Sequence, residues 1–163
     1  MPDDNGPKKA TLIVFSGTMD KVMGALIVAT TAAAMGMEVT MFFTFWGLSA
    51  LKKGGIADCE RNWMQKMLGW MLPKKAADLP LSQLHMAGMG AGMMKKIMEQ
   101  QNMQSLEELL ETAIDLDVRM IACQTSMSAM GICREELLDN IEVAGAATYV
   151  GEAQDGAFNL FIS

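Results

Sequence analysis

Hydrophobic and polar positions follow one another along the chain in blocks that predict strands and helices in turn. The apolar run at residues 9–15 predicts a first strand, and residues 37–44 predict a second. The stretch between them predicts a helix that begins at Thr18 or Asp20, since either side chain is able to cap it, and ends near residue 35. Because both strands are apolar throughout, we expect a parallel sheet with right-handed crossovers.

The carboxyl-terminal part of the chain continues this order. Ser105 and Glu108 have the spacing of a capping box and predict the start of a helix that runs to about residue 115. Further elements are predicted as a strand at 117–123, a helical segment at 124–131, a helical turn at 134–138, a helix at about 144–154 and a strand at 157–162. The expected fold class is α/β, with a roughly five-stranded, mostly parallel sheet and helices on both faces.

Residues 56–104 interrupt the alternation, and Pro73 and Pro80 divide them. We therefore divide the chain into a flexible tail at 1–8 and a single domain at 9–163 that carries a methionine-rich helical insertion at about 56–104. The spacing of these methionines is typical of a core helix. The alternative is an adaptable surface that contacts another subunit, a partner or a membrane. The methionines concerned are Met64, Met67, Met71, Met86, Met89, Met93 and Met98.

A long apolar run at residues 22–51 contains one charged residue, Glu38. Its small residues give way to β-formers, and Gly36 stands between them, as expected of a residue that ends a helix. We interpret the run as a buried helix followed by a buried strand, because a charge in the middle of a membrane span is costly.

The net charge of −6 is unevenly distributed. Residues 104–163 carry eleven acids and two bases, which argues against nucleic acid as a partner. Residues 59–103 carry six bases and three acids, a balance that suits a membrane surface or an acidic partner. The amino terminus is polar and has no signal-peptide pattern.

The three cysteines, Cys59, Cys123 and Cys133, have spacings that match neither a zinc site nor a disulfide framework. The chain has one histidine, His85, so we expect no metal site and no cofactor. A cytoplasmic, reducing compartment fits this cysteine usage, with membrane association as the alternative.

Cys123 lies at the carboxyl end of a predicted parallel strand, next to a predicted helix start. Ligands bind at that edge of open α/β sheets, and helix N–H groups there favour a thiolate. The competing interpretation is a small thiol buried in the core. A Cys–His pair would need His85, whereas a thiol that carries sulfur has no obligatory general base.

Two other strand ends are expected at the same edge. Ser16, Gly17 and Thr18 would offer hydrogen bonds to an anion, and Phe45 and Trp46 would form an aromatic wall. The spacing at residues 16–20 does not match a P-loop or a dinucleotide fingerprint. Cys133 is a candidate to resolve an oxidised Cys123 or a plain core residue, and Cys59 has no supporting context.

Three segments resemble the DsrE/DsrF-like sulfur-carrier family, and in particular its larger branch, which is often labelled peroxiredoxin-like. They are Ala10-Thr-Leu-Ile-Val-Phe-Ser-Gly17, Thr40-Met-Phe-Phe-Thr-Phe-Trp-Gly-Leu48 and Ile121-Ala-Cys-Gln-Thr-Ser-Met-Ser-Ala-Met-Gly131, which includes Gln124. The resemblance extends from about residue 8 to residue 162. It implies a parallel α/β sheet, a homo-oligomer and Cys123 as the sulfur-carrying cysteine. No peroxidatic Thr-x-x-Cys arrangement supports the peroxiredoxin label.

The sequence thus predicts a sulfur carrier or sulfurtransferase-like protein. Cys123 would hold sulfane sulfur or a thiosulfonate group and pass it to a partner thiol. The expected partners are a sulfur donor or acceptor protein and further copies of the chain, with peripheral membrane contact through residues 56–104 as an additional interaction. The alternative function is a non-enzymatic binding or scaffold module that uses the methionine-rich surface and keeps Cys123 buried.

Overall fold

The computed structural model describes residues 6–55, 57, 59–83 and 89–163. Its strands are β1 (Lys9–Val14), β2 (Glu38–Phe43), β3 (Arg119–Cys123), β4 (Glu142–Ala144) and β5 (Gly156–Ile162). They form one five-stranded sheet in the order β4-β3-β2-β1-β5, and every neighbouring pair is parallel. The predicted α/β fold class, a single domain with a parallel sheet, is confirmed.

Helices connect the strands and cover both faces of the sheet. They are α1 (Met19–Ala34), α2 (Trp63–Met71), α3 (Met89–Gln100), α4 (Leu106–Asp115), α5 (Gln124–Met130) and α6 (Ala146–Gln154), with a 3₁₀ helix at Phe45–Leu51 and shorter 3₁₀ turns at Ala76–Asp78 and Arg134–Glu136. The predicted capping box opens α4: the Glu108 N–H donates to the Ser105 hydroxyl (3.2 Å), and the Ser105 N–H donates to the Glu108 carboxylate (2.7 Å).

Strand residues alternate between two apolar layers because successive side chains point to opposite faces. Leu12, Met41 and Phe43 belong to the larger layer, which also contains buried residues of α1 and α4. Phe42 and Ile121 belong to a smaller layer with residues of α6. The apolar run at residues 22–51 therefore contains a helix followed by a buried strand, as predicted, and then the 3₁₀ helix at Phe45–Leu51. The helix, α1, is buried on one side and leaves Ile27 and Val28 exposed. No helix among the described residues is long and apolar enough to span a membrane.

Several predicted boundaries are wrong. The helix predicted at 144–154 begins only at Ala146. Ala144, the first residue of the predicted helix, belongs instead to β4, a strand of three residues that is too short to show a pattern of its own. Asp117 has a φ of 56°, so it lies in a turn before β3. The segment at 134–138 forms only a short 3₁₀ turn.

The interpretation of the methionine stripe as core is also wrong for most of its described members. Met98 is buried, whereas the others that the structure describes are exposed, and α2 contains no buried residue. A periodic apolar pattern shows only that one face is apolar, and tertiary contacts decide whether anything covers that face. The exposed members are Met64, Met67, Met71, Met89 and Met93. Met86, His85 and the first five residues lie outside the described residues.

Candidate functional site

Cys123 is the last residue of β3, and α5 begins at the next residue. β3 runs beside β2, where Ala122 pairs with Phe43, so Thr44 follows β2 at the same level of the sheet. On the other side, Cys123 pairs with Ala144 of β4. The thiol therefore lies at the carboxyl edge of the sheet, where parallel strands of α/β proteins present their ligand-binding groups.

Hydrogen-bond donors surround the sulfur. Burial raises the pKa of the Cys123 thiol, but hydrogen bonds from the Ser126 hydroxyl and N–H, the Thr44 hydroxyl and the Thr125 N–H lower it by more. The net pKa is below its ordinary value. The arrangement thus favours the thiolate, which is the nucleophilic form of cysteine.

Cys123 is nevertheless tightly packed. Its side chain is 6% exposed and packs with Phe42, Ile121 and Tyr149. This packing agrees with the expectation of a buried thiol, but apolar packing alone would raise the pKa rather than lower it. The hydroxyl and N–H donors therefore distinguish Cys123 from a cysteine that only fills space.

The predicted anion-binding turn and part of the predicted aromatic wall meet around a cavity of about 450 Å³. Ser16, Gly17, Thr18 and Trp46 line it, and its walls are mainly apolar. The Ser16 and Thr18 hydroxyls lie 3.0 Å apart. A Cβ atom on Gly17 would lie 2.7 Å from the Trp46 carbonyl oxygen, so glycine allows the two turns to approach.

The remaining predicted pocket residues are not among those that line this cavity. Phe45 is partly exposed and has a φ of 45°, a conformation that is costly outside glycine. Its ring lies 5.3 Å from that of Phe15, centroid to centroid. Gln124 is exposed at the start of α5. Cys123 lies beside Thr44 and is not among the described residues that line the cavity.

A disulfide joins Cys59 to Cys133, with their Cα atoms 6.7 Å apart. The disulfide gives Cys59 a structural context that the sequence did not show, and it pairs two of the three cysteines although their spacings match no disulfide framework. In this state Cys133 is not a free thiol and is not available to resolve an adduct on Cys123. Sequence spacing missed the pair because 74 residues separate its members and only the fold brings them together.

Sequence reasoning also missed three hydroxyl groups of the site. Thr44 and Ser126 place their oxygens 2.7 Å apart beside Cys123. A partial signal existed, since Ser126 follows Cys123 by three residues and Thr44 follows a predicted strand. Ser49 lines the 450 Å³ cavity, and its buried hydroxyl has no hydrogen-bond partner among the described residues.

The fold and the site together define a single-domain α/β protein with a buried cysteine, whose pKa is lowered, at the carboxyl edge of its parallel sheet. The sequence model of the DsrE/DsrF/DrsH-like family matches residues 6–161, and the chain belongs to this family.

Two relatives match over nearly their whole length. The chain is 42% identical to the uncharacterized protein YrkE of Bacillus subtilis (strain 168), over 95% of the chain and 97% of the relative. It is 35% identical to the sulfur carrier protein DsrE2 of Allochromatium vinosum, over 95% of the chain and 98% of the relative. The crystal structure of the ychN protein from E. coli is similar in fold, with a TM-score of 0.56 and 11% sequence identity, over 96% of this chain and all of that one.

Proposed function

We propose that the protein is a sulfur carrier in which Cys123 accepts sulfane sulfur, or a thiosulfonate group, and passes it to a thiol of a partner protein. The observation that carries this proposal is the set of donors around Cys123, from Ser126, Thr44 and Thr125, which lowers the pKa of the thiol. Membership of the family and the similarity to a relative named as a sulfur carrier support the same function.

The chemistry requires no oxidant or reductant. The Cys123 thiolate attacks the outer sulfur of a donor persulfide, so that a new S–S bond forms and the donor S–S bond breaks. The donor leaves as a thiolate, and Cys123 becomes a persulfide. An acceptor thiolate then attacks the outer sulfur of this persulfide and restores the Cys123 thiolate. A donor such as tetrathionate would leave a thiosulfonate on Cys123 and release thiosulfate.

The surrounding groups have distinct parts in this proposal. Within the hydroxyl pair of Thr44 and Ser126, the hydroxyl that accepts from the other donates to the sulfur and stabilises the thiolate before attack and again when Cys123 leaves as a thiolate. The cavity lined by Ser16, Gly17, Thr18 and Trp46 does not include Cys123, so the proposal assigns it to a part of the donor or acceptor that does not react.

Mass spectrometry of the intact protein after treatment with polysulfide tests the proposal. The parent protein should gain the mass of sulfur atoms, and digestion should locate them on Cys123. Cys123→Ser should gain none, because a hydroxyl cannot form a persulfide and the serine is nearly the same size. The double variant Cys59→Ser/Cys133→Ser is the control and should retain the added mass.

Thermal unfolding of each variant confirms that the comparison is made between folded proteins. If folded Cys123→Ser takes up sulfur as the parent does, the assignment to Cys123 is wrong. A parent protein that takes up no sulfur from polysulfide or tetrathionate would favour the scaffold alternative.

We also propose that the apolar face of α2 contacts an anionic membrane surface. Trp63 and Trp70 are 72% and 80% exposed, and the exposed Met67 lies on the helix between them. The nearby bases Lys66 and Lys74 are exposed as well, and α2 contains no acid. Exposed tryptophan beside lysine suits the interface of an anionic bilayer.

Sedimentation with vesicles tests this contact. The parent protein should sediment with vesicles that contain phosphatidylserine and remain in solution with vesicles of phosphatidylcholine alone. Trp63→Gln/Trp70→Gln should lose the binding. The opposite result is a parent protein that binds neither kind of vesicle and forms an oligomer, measured by light scattering, that is lost in the same double variant. That result would assign the surface to contact with a second copy of the chain.

A further inference from the structure

A second cavity, of about 300 Å³, lies beside the Cys59–Cys133 disulfide. Among its described lining residues are four bases, Lys52, Arg61, Lys66 and Lys74, and one acid, Glu136. Leu72 and Ile132 contribute apolar wall. The described lining therefore has a formal charge of +3, in a chain whose net charge is −6.

Lys52 is the least usual member of this group. It is only 8% exposed, although lysine is almost never buried without a partner. No hydrogen bond or salt bridge to its ammonium group is present among the described residues. The next residue, Lys53, is more exposed and forms an ion pair with Asp139 at 2.7 Å. Lys52 thus lines the cavity, whereas Lys53 lies at the surface.

The acid in the cavity wall is already engaged. Arg61 and Glu136 form a buried ion pair. The Arg61 guanidinium also donates to the Gly131 carbonyl oxygen at 2.7 Å and contacts the Cys133 sulfur at 3.7 Å. Among the described lining residues, one carboxylate therefore faces two largely buried cations, and an excess of positive charge remains.

The pKa of Lys52 reflects mainly its burial. Burial lowers the pKa of its ammonium group, the negative charge of Glu136 raises it, and the positive charge of Arg61 lowers it further. The net pKa is below its ordinary value. A second anion beside Lys52 would favour the charged form and would neutralise the excess charge.

We propose that this cavity binds a small oxyanion with two negative charges, of the class that includes sulfate, thiosulfate and hydrogen phosphate. Lys52 and the Nη1 of Arg61, which has no hydrogen-bond partner among the described residues, provide donors from largely buried side chains. The exposed Lys66 and Lys74 add positive charge that attracts the anion. Among the described residues this cavity shares only Leu72 with the one at the turn after β1, and the proposal does not depend on sulfur transfer at Cys123.

Isothermal titration calorimetry tests the proposal with the full chain in its disulfide form. The Cys123→Ser background removes any reaction at that thiol. Sodium sulfate, thiosulfate and phosphate are titrated separately at constant ionic strength, with sodium chloride as the reference. We expect saturable binding of at least one oxyanion and none of chloride.

Lys52→Met and its matched control Lys53→Met make the test specific. Lys52→Met should weaken the affinity by about tenfold or more, because a charge-assisted hydrogen bond is lost. Lys53→Met should leave the affinity within about twofold of the parent, since that side chain forms its ion pair outside the cavity.

A third variant keeps the test decisive if Lys52→Met fails to fold. Lys66→Gln/Lys74→Gln changes only exposed side chains, so folding should be unaffected, and the affinity should fall by about threefold or more. The proposal is overturned if none of the three oxyanions gives saturable binding. Equal affinities in the parent, in folded Lys52→Met and in the double variant would overturn it as well.

Discussion

Thr44 and Ser126 place their hydroxyl oxygens 2.7 Å apart, and this contact links the end of β2 to the first turn of α5 beside Cys123. Either oxygen is able to donate to the other. Whichever hydroxyl accepts this hydrogen bond keeps its own hydrogen free for the Cys123 sulfur. The pair therefore supplies a donor to the thiolate whichever way it is oriented, and it connects the reactivity of Cys123 to the packing of two elements.

Ser126→Ala should raise the pKa of Cys123 and slow its alkylation near neutral pH. The Ser126 hydroxyl is the largest of the contributions that lower that pKa, so its removal gives the opposing effect of burial more weight, although the Thr44 hydroxyl and the N–H groups of residues 125 and 126 remain. The rate of iodoacetamide labelling, followed by mass spectrometry across a pH series, measures the change. Ser128→Ala is the control on the exposed face of the same helix, and it should not shift the midpoint of the labelling rate plotted against pH. An unchanged midpoint in Ser126→Ala would contradict the assigned donors.

The same pKa shift has a consequence for stability. Since the folded pKa of Cys123 lies below its ordinary value, the thiolate stabilises the folded state fully above the unfolded pKa. This contribution is lost as the pH falls through the folded pKa. As the pH rises from the folded pKa of Cys123 to its unfolded pKa, the free energy of unfolding of the parent should therefore increase more than that of Cys123→Ser. Parallel curves of unfolding free energy against pH would show that the shift is absent.

Glu136→Gln should destabilise the protein strongly. The substitution removes the carboxylate from a buried ion pair and takes away the charge that opposes Arg61 and Lys52 among the described residues, at a cost of about 3–5 kcal/mol. Urea unfolding measures the loss. Asp139→Asn removes the carboxylate of the exposed ion pair with Lys53 and should unfold like the parent. Similar losses of stability in both variants would show that the buried Arg61–Glu136 pair contributes no more than the exposed Lys53–Asp139 pair.

The double variant Cys59→Ser/Cys133→Ser should lose about 2–4 kcal/mol of stability, because the disulfide constrains the unfolded chain between them. Reduction of the parent protein should give the same loss. Without reductant, denatured parent protein should contain one thiol that reacts with a thiol reagent, namely Cys123. Three reactive thiols under those conditions would contradict the pairing.

Gly47→Ala should destabilise the fold by about 1–3 kcal/mol, because the added Cβ would overlap the Val14 carbonyl oxygen and push the 3₁₀ helix from β1. Gly24→Ala is the matched control, since it lies within α1 and its Cβ would meet nothing within 4 Å. It should stabilise the protein by about 0.5–1 kcal/mol. Thermal unfolding separates the two, and a stable Gly47→Ala would show that this close approach is not required.

The sequence alone determined the elements that have their own local signal. The apolar runs of β1 and β2 and the capping box of α4 follow from contacts between near neighbours in the chain, so the parallel α/β class could be predicted from them. The position of Cys123 at the end of β3 could be predicted for the same reason.

The tertiary structure decided the features that join distant residues. The Cys59–Cys133 disulfide, the Thr44–Ser126 contact and the charged cavity beside Lys52 bring together groups that are far apart in sequence. A local pattern states which residues are apolar or polar but not which of them meet. Only the packing of the sheet and helices fixed these partners, and with them the pKa of Cys123 and the burial of Lys52.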